Sequence, residues 1–266
     1  MSELSPSDLS ILLVEPSDTQ RKIIIKHLKE EEVRNIEEAG SVNQALVQIA
    51  KHKPDLVVSA LHFADGTALD LLTRLKKSPE LADIAFMLVS SETRKAQLEQ
   101  FKQSGVIAIL PKPFSRIHLG KALNAAMDLL TPTELQLSLY DITDVRVLIV
   151  DDSKLARNHI RRVLSNLGIQ RMQEAEDGQQ AIAMLQQQMF DLVVTDYNMP
   201  EVNGQELTEF IRGTSTQSHI PVLMVTSEAN ETHLSNIAQS GVNAMCDKPF
   251  EPETVRALLF QLLEQH

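Results

Sequence analysis

The chain has 266 residues, 43% of them hydrophobic and 23% charged, which is the balance of a soluble globular protein and enough length for two ordinary domains. No apolar run reaches bilayer-spanning length, the N-terminus MSELSPSDLS lacks the regions of a signal peptide, and the single Cys246 excludes an internal disulfide, so a cytoplasmic location without membrane insertion is expected. The net charge of −11 is uneven: residues 1–130 hold 16 basic and 17 acidic side chains, residues 146–266 hold 9 and 16, and neither half has the basic face that direct nucleic-acid binding needs.

In chain order, a first apolar run ends at Val14, and a helical stretch bearing Arg21, Lys22, Lys26 and Lys29 follows it. That face reads either as solvated or as a docking surface, for an acidic partner or for the acidic second half. DLVVS (55–59), SSE (90–92), QSGV (103–106) and KPF (112–114) complete the landmarks of the first half. The segment TPTELQLSLYDITDV (131–145) is too short for a domain, and Pro132 breaks it from what precedes. It reads either as a brief helix around Glu134–Leu139 or as an extension of the previous helix.

In the second half, strands are predicted at Val147–Val150, Arg171–Ala175, Leu192–Thr195, Val222–Thr226 and Ala244–Cys246, mostly in the uninterrupted β-branched style of strands buried on both faces. Helical spacing appears over Leu155–Leu167, Ala181–Leu185, Leu207–Ile211, Leu234–Ala238 and Val255–Leu263. Cys246 fits a small buried apolar residue.

Sliding the chain against itself by 136 residues lays DLVVS over DLVVT, SSE over TSE, QSGV over QSGV and KPF over KPF. The register is ungapped from Val14 over Val150 to Phe114 over Phe250, so a domain of about 120 residues is duplicated, far too long a period for a solenoid. Five βα units per copy imply an α/β architecture with a parallel, doubly wound sheet, whose ligands bind at the carboxyl ends of the strands.

The chemistry of the second copy lies at those ends. Strand one ends in Asp151 and Asp152, strand three in Asp196, strand four in Thr226, and Lys248 follows strand five. Three converging carboxylates repel one another unless a cation offsets them, and a hard divalent ion, Mg2+ first, suits oxygen ligands. With an ammonium and a hydroxyl beside them they form a site for a phosphoryl group, and the central Asp196 is the expected nucleophile. Taken singly, each residue has a plainer account. Asp152 or Ser153 serves as a helix cap, Asp196 starts a turn, Thr226 is structural and Lys248 is a solvated lysine. Their joint placement outweighs these accounts.

VLIVDDS, EAEDG, DLVVTDYNMP, NGQEL, PVLMVTSEA and SGVNAMCDKPF make residues 146–266 resemble a response-regulator receiver domain, the CheY-like family of the single-domain chemotaxis regulator. The resemblance implies two flavodoxin-like (βα)5 domains with strand order 2-1-3-4-5: a degenerate receiver at 9–130, a linker at 131–145 and a phospho-accepting receiver at 146–266. It implies a magnesium ion held by Asp151, Asp152, Asp196 and the backbone carbonyl of Asn198. A histidine kinase or histidine phosphotransfer protein would supply the phosphoryl group to Asp196, and Thr226 and Lys248 would bind it. The Lys248–Pro249 peptide would be cis. Asn198 and Glu228 resemble the modulating residues of regulators with a short-lived phosphoryl group. Met245 stands where the family's aromatic switch residue is expected. Receivers of this family pair through their fourth helix, fifth strand and fifth helix, here Glu231–Ala238, Ala244–Cys246 and Glu251–Leu263.

In the first copy Glu15, Pro16, Ala60 and Ser90 stand at the positions of Asp151, Asp152, Asp196 and Thr226, and Lys112 keeps that of Lys248. Ala60 cannot accept a phosphoryl group, Asp65 falls opposite Glu201 in a loop, and His62 falls opposite Asn198. This half reads as a pseudo-receiver.

The whole is expected to be a two-component response regulator, not an enzyme, that signals by altering protein–protein interactions. No output domain follows within the chain, so a downstream protein would carry the signal. The alternatives are a regulatory portion of a longer protein and a phosphorylation-independent scaffold. A haloacid dehalogenase-type phosphatase is disfavoured, because its D-x-D nucleophile follows the first strand, which here ends Asp-Asp-Ser.

Overall fold

The computed structural model describes residues 4–92, 95–138, 141–227 and 239–264. The chain divides into two compact units, Met1–Thr131 and Pro132–His266.

The first unit carries β1 (Ser10–Val14), α1 (Asp18–Glu30), β2 (Asn35–Ala39), α2 (Val42–Lys51) and β3 (Leu56–Ala60). A short antiparallel hairpin, β4 (His62–Phe63) with β5 (Gly66–Thr67), precedes α3 (Ala68–Lys77). Then come β6 (Ala85–Ser90), α4 (Lys95–Lys102), β7 (Ala108–Pro111) and α5 (Arg116–Leu130). Its parallel sheet has the order β2-β1-β3-β6-β7.

The second unit carries β8 (Arg146–Val150), α6 (Lys154–Asn166), β9 (Arg171–Ala175), α7 (Gly178–Gln187), β10 (Leu192–Asp196), α8 (Gly204–Gly213), β11 (Val222–Thr226), β12 (Ala244–Asp247) and α9 (Pro252–Glu264). Its parallel sheet runs β9-β8-β10-β11-β12. Both sheets have the flavodoxin-like order 2-1-3-4-5. The predicted helix Leu234–Ala238 lies outside the described residues.

Composition explains which strands are central. In β3, β6, β10 and β11 every residue is buried, as their unbroken apolar runs require. The edge strands β2 and β9 are exposed or half-buried at every position but the last, which admits Glu37 and Glu38 in NIEEA and Gln173 and Glu174 in RMQEA. In the second unit Leu148, Val150, Val193 and Val222 pack under Leu185, Leu207 and Ile211 from the helices. Capping fixes where the helices start. Ser17 and Ser153 cap α1 and α6, and Asn203 forms a capping box with Glu206 at α8.

The segment after Thr131 corrects one expectation. Residues 132–138 form neither a brief helix nor an extension of α5. Instead the Thr133 and Leu135 amides donate to the carbonyls of Asn166 and Leu167, at 2.9 and 2.8 Å, and Leu135 is buried. A helix C-terminus leaves carbonyls without intrahelical partners, and here the incoming chain satisfies two at the end of α6.

Candidate functional site

Parallel register brings the ends of β8, β10, β11 and β12 to one edge of the second sheet. Thr195 pairs with Val150, Asp196 with Val225, and Thr226 with Asp247. Just beyond β12 the Lys248 amide donates to the Thr226 carbonyl at 2.8 Å, which folds Lys248 back over the sheet edge. The Lys248–Pro249 peptide is cis, as is Lys112–Pro113.

Lys248 Nζ lies 3.0 Å from Asp151 Oδ2 and 3.1 Å from Asp196 Oδ1. Asp151 is fully buried, Asp196 and Thr226 nearly so, and Lys248 is only 5% exposed. Carboxylate oxygens of Asp151, Asp152 and Asp196 all fall within 4.8 Å of one another. Ser153, not Asp152, is the helix cap: its hydroxyl accepts from the Ala156 amide. Asp152 is left exposed at the mouth of the cluster. Asp151 Oδ1 accepts from the Ser153 amide at 2.8 Å, so that carboxylate is oriented by backbone and by Lys248 together.

The electrostatics follow from burying several like charges. Burial pushes the Asp196 carboxyl up to about 7; the Asp151 carboxylate pushes the same way and the Lys248 ammonium opposes both. Burial also raises Asp151. Burial alone would lower the Lys248 ammonium, but Asp196 and Asp151 outweigh it and hold it above the ordinary lysine value. Asp196 Oδ2 is buried and has no hydrogen-bond partner. An orphaned carboxylate oxygen beside two further carboxylates is a donor set that fits a hard divalent cation.

Asn198 is exposed in the loop after β10, and Met199 is buried. Glu228 lies outside the described residues, as does the stretch Glu231–Ala238. Met245 sits on β12 at 37% exposure, so it is half in solvent where the family's aromatic switch is expected.

The first unit repeats the frame with fewer charges. Glu15 is 4% exposed, its Oε1 accepts from the Ser17 amide at 3.0 Å, and its Oε2 takes the Lys112 ammonium at 2.8 Å. The Lys112 amide donates to Ser90 as Lys248 does to Thr226. Asp65 does not join this site. Its two oxygens accept from the Val42 and Asn43 amides at 3.0 and 2.9 Å, which caps α2 and holds its carboxyl below the usual carboxylate range. His62 is exposed in the hairpin.

Sequence reasoning missed Arg157. It is an arginine buried on α6, whose guanidinium reaches the carbonyls of Asp151 and Asp152. Its spacing, six residues after Asp151, looks like an ordinary helix surface position, and only the fold reveals its direction.

Chemotaxis protein CheY-3 of Vibrio cholerae serotype O1 is 40% identical to this chain over 122 residues, 46% of this chain and 94% of that protein. Chemotaxis protein CheY of Pseudomonas aeruginosa is 38% identical over 121 residues, 46% of this chain and 98% of that protein. Among solved structures, chemotaxis response regulator CheY4 of Vibrio cholerae aligns at 33% identity over 45% of this chain and 98% of its own, with a TM-score of 0.42. The family described as the response regulator receiver domain matches residues 11–124 and again residues 147–260. Two matches that cover most of the sequence, on two sheets of one topology, mean that the chain belongs to the response regulator receiver domain family and carries that domain in tandem.

Proposed function

We propose that the second receiver accepts a phosphoryl group on Asp196 and that the first does not. The observation that carries this is the Asp196 carboxylate itself: buried, with one oxygen held by Lys248 and the other unpartnered, at the carboxyl end of the central strand. A carboxylate oxygen attacks the phosphorus of a phosphohistidine on a kinase or phosphotransfer protein. The P–N bond breaks, the imidazole keeps the electron pair, and an acyl phosphate forms on Asp196. Lys248 moves from carboxylate to phosphoryl oxygens, and the Thr226 hydroxyl donates to one of them. Asp151, Asp152, Asp196 and the Asn198 carbonyl would hold Mg2+, which supplies the positive charge that keeps these carboxylates ionised and offsets the incoming phosphoryl group.

The reaction is stoichiometric rather than a turnover of an external substrate, and its product is a changed protein surface. Such coupling is ordinarily worth about 1–3 kcal/mol, one or two decades in affinity for a downstream partner. Asn198 and Glu228 favour a short-lived phosphoryl group, and the protein acts in the cytoplasm.

Intact-mass measurement after incubation with acetyl phosphate and Mg2+ tests the reading. Wild type gains one phosphoryl group and Asp196→Asn gains none. A chain that gains none at all, and fails to bind beryllofluoride, is a phosphorylation-independent scaffold instead.

A further inference from the structure

The peptide units that carry Asp151 and Asp152 lie where the chain leaves β8 and turns into α6, at and just after the Asp151 amide's bond to the Ala175 carbonyl (3.2 Å). From α6, Arg157 Nη1 donates to the Asp151 carbonyl at 2.7 Å and reaches the Asp152 carbonyl at 3.4 Å. Its Nε donates to Glu174 Oε2 at 3.1 Å and its Nη2 to Glu176 Oε1 at 2.9 Å. The side chain is 5% exposed. Its buried charge is therefore offset by the two glutamates while Nη1 alone is shared between the two peptide carbonyls, the Asp151 bond being the shorter.

The first unit supplies the contrast. Arg21 occupies the position of Arg157 in the duplicated register, and its partners are Asp18 and Glu38. Among the described residues it makes no bond to the carbonyls of Glu15 or Pro16. The arginine grips the strand-end loop in the copy whose loop bears two carboxylates, and not in the copy whose loop bears Glu15 and Pro16.

We infer that Arg157 is a positioning residue for the cation site, fixing from behind the backbone on which the Asp151 and Asp152 carboxylates hang. This rests on the reading of that cluster as a cation site. A lysine at 157 keeps the charge, but a single ammonium cannot bond the loop carbonyls and both glutamates at once. Outer residues that orient metal ligands are typically worth about 10–100-fold in metal affinity.

The test counts free Mn2+ by electron paramagnetic resonance in titrations of the full chain, with Mg2+ as competitor, beside the thermal midpoint of each variant. Arg161→Met is the comparison, because Arg161 shares Glu174 with Arg157 but touches neither ligand peptide. Wild type is expected to bind one Mn2+ that Mg2+ displaces. Arg157→Met should bind it at least about 10-fold more weakly well below its midpoint. Arg161→Met should lower the midpoint and leave the affinity within about 3-fold, below the range set by ligand-orienting residues. A merely structural role for Arg157 would lower the midpoint and leave the affinity of the folded protein alone, and that result overturns the inference. Should Arg157→Met not fold, Arg157→Lys carries the same two outcomes. A wild type that binds no Mn2+ would instead remove the cation site itself, and the phosphoacceptor reading with it.

Discussion

The ends of β1 and β8 share one hydrogen-bond frame and carry different charge. In each, the first residue past the strand is an acid that accepts from the amide of the helix-capping serine and from a lysine beyond the fifth strand. In the first unit one carboxylate meets one ammonium and the balance is neutral. In the second, among the described residues, Asp151, Asp152 and Asp196 face Lys248 alone, which leaves two negative charges uncompensated and one oxygen of Asp196 without a partner. The first copy has therefore kept the packing of a receiver and lost the electrostatic demand for a cation. Only the second is under a tension that a cation relieves.

The loops after the third strand differ in the same sense. At α8 the chain comes so close that a Cβ on Gly204 would stand 2.2 Å from the Asp196 carbonyl oxygen. A Cβ on Gly178 would stand 2.5 Å from the Val202 carbonyl oxygen, which accepts the Gly178 amide. In the first unit these positions are Ala68 and Val42, the loop forms the hairpin of β4 and β5, and the Asp65 side chain, not a loop carbonyl, accepts from the first amides of α2 beside its Ser41 cap.

The largest effect that could break the comparison is gain of a site. If loss of carboxylates is what silences the first copy, Ala60→Asp alone should bind no cation and take no phosphoryl group. With that substitution one acid would still be held by Lys112, and Pro16 would still lack a carboxylate. Glu15→Asp, Pro16→Asp and Ala60→Asp together should add a second Mn2+ site, counted by electron paramagnetic resonance beside the one expected of wild type. A second site from Ala60→Asp alone would show that the frame, not the charge count, decides.

A smaller effect sharpens the loop contrast. Gly204→Ala forces the α8 start away from Asp196 and should cost about 1–3 kcal/mol in the second unit, as overpacking does, together with slower phosphorylation. Ala68→Gly adds backbone freedom and removes a methyl buried in the core, about 1–2 kcal/mol in all, and should leave phosphorylation of Asp196 unchanged. Calorimetric unfolding and the phosphorylation rate of both variants check this, and a Gly204→Ala variant that is neither destabilised nor slowed would mean that the close approach at Gly204 does not position Asp196.

Much of this was legible before the fold. The strands of the second half are read to within a residue: β8, β10 and β11 are short, β-branched apolar runs buried on both faces, and β9 and β12 follow from the βα alternation around them. The placement of the five candidate residues was legible because parallel strands end at one edge. What stayed hidden depended on direction rather than spacing. Ser153, not Asp152, turned out to be the cap; Asp65 reached across to α2; residues 132–138 docked on α6; and Arg157 turned inward. Each is a polar group that settles on whichever backbone donor or acceptor the folded chain leaves free. A one-dimensional pattern does not encode that choice.

The last prediction concerns proton binding at the crowded site, whose effect is spread over about three pH units. The Asp196 carboxyl titrates near 7 in the folded protein against an ordinary value of 3.8. Between about pH 4 and pH 7 the folded state then holds a proton that the unfolded chain releases, so stability falls as pH rises through that window and levels off above it. Asp151 is shifted in the same direction, and because the two share Lys248 the slope belongs to the pair. Lys248 is raised from an already high value, so its own titration lies outside the window. In EDTA the second unit of wild type should lose roughly 1 kcal/mol per pH unit relative to Asp196→Asn. The unfolding transition of the first unit should be the same in both proteins. Parallel profiles for wild type and Asp196→Asn would mean that the second site carries no more electrostatic tension than the first, and the contrast between the two copies would reduce to the identity of the nucleophile.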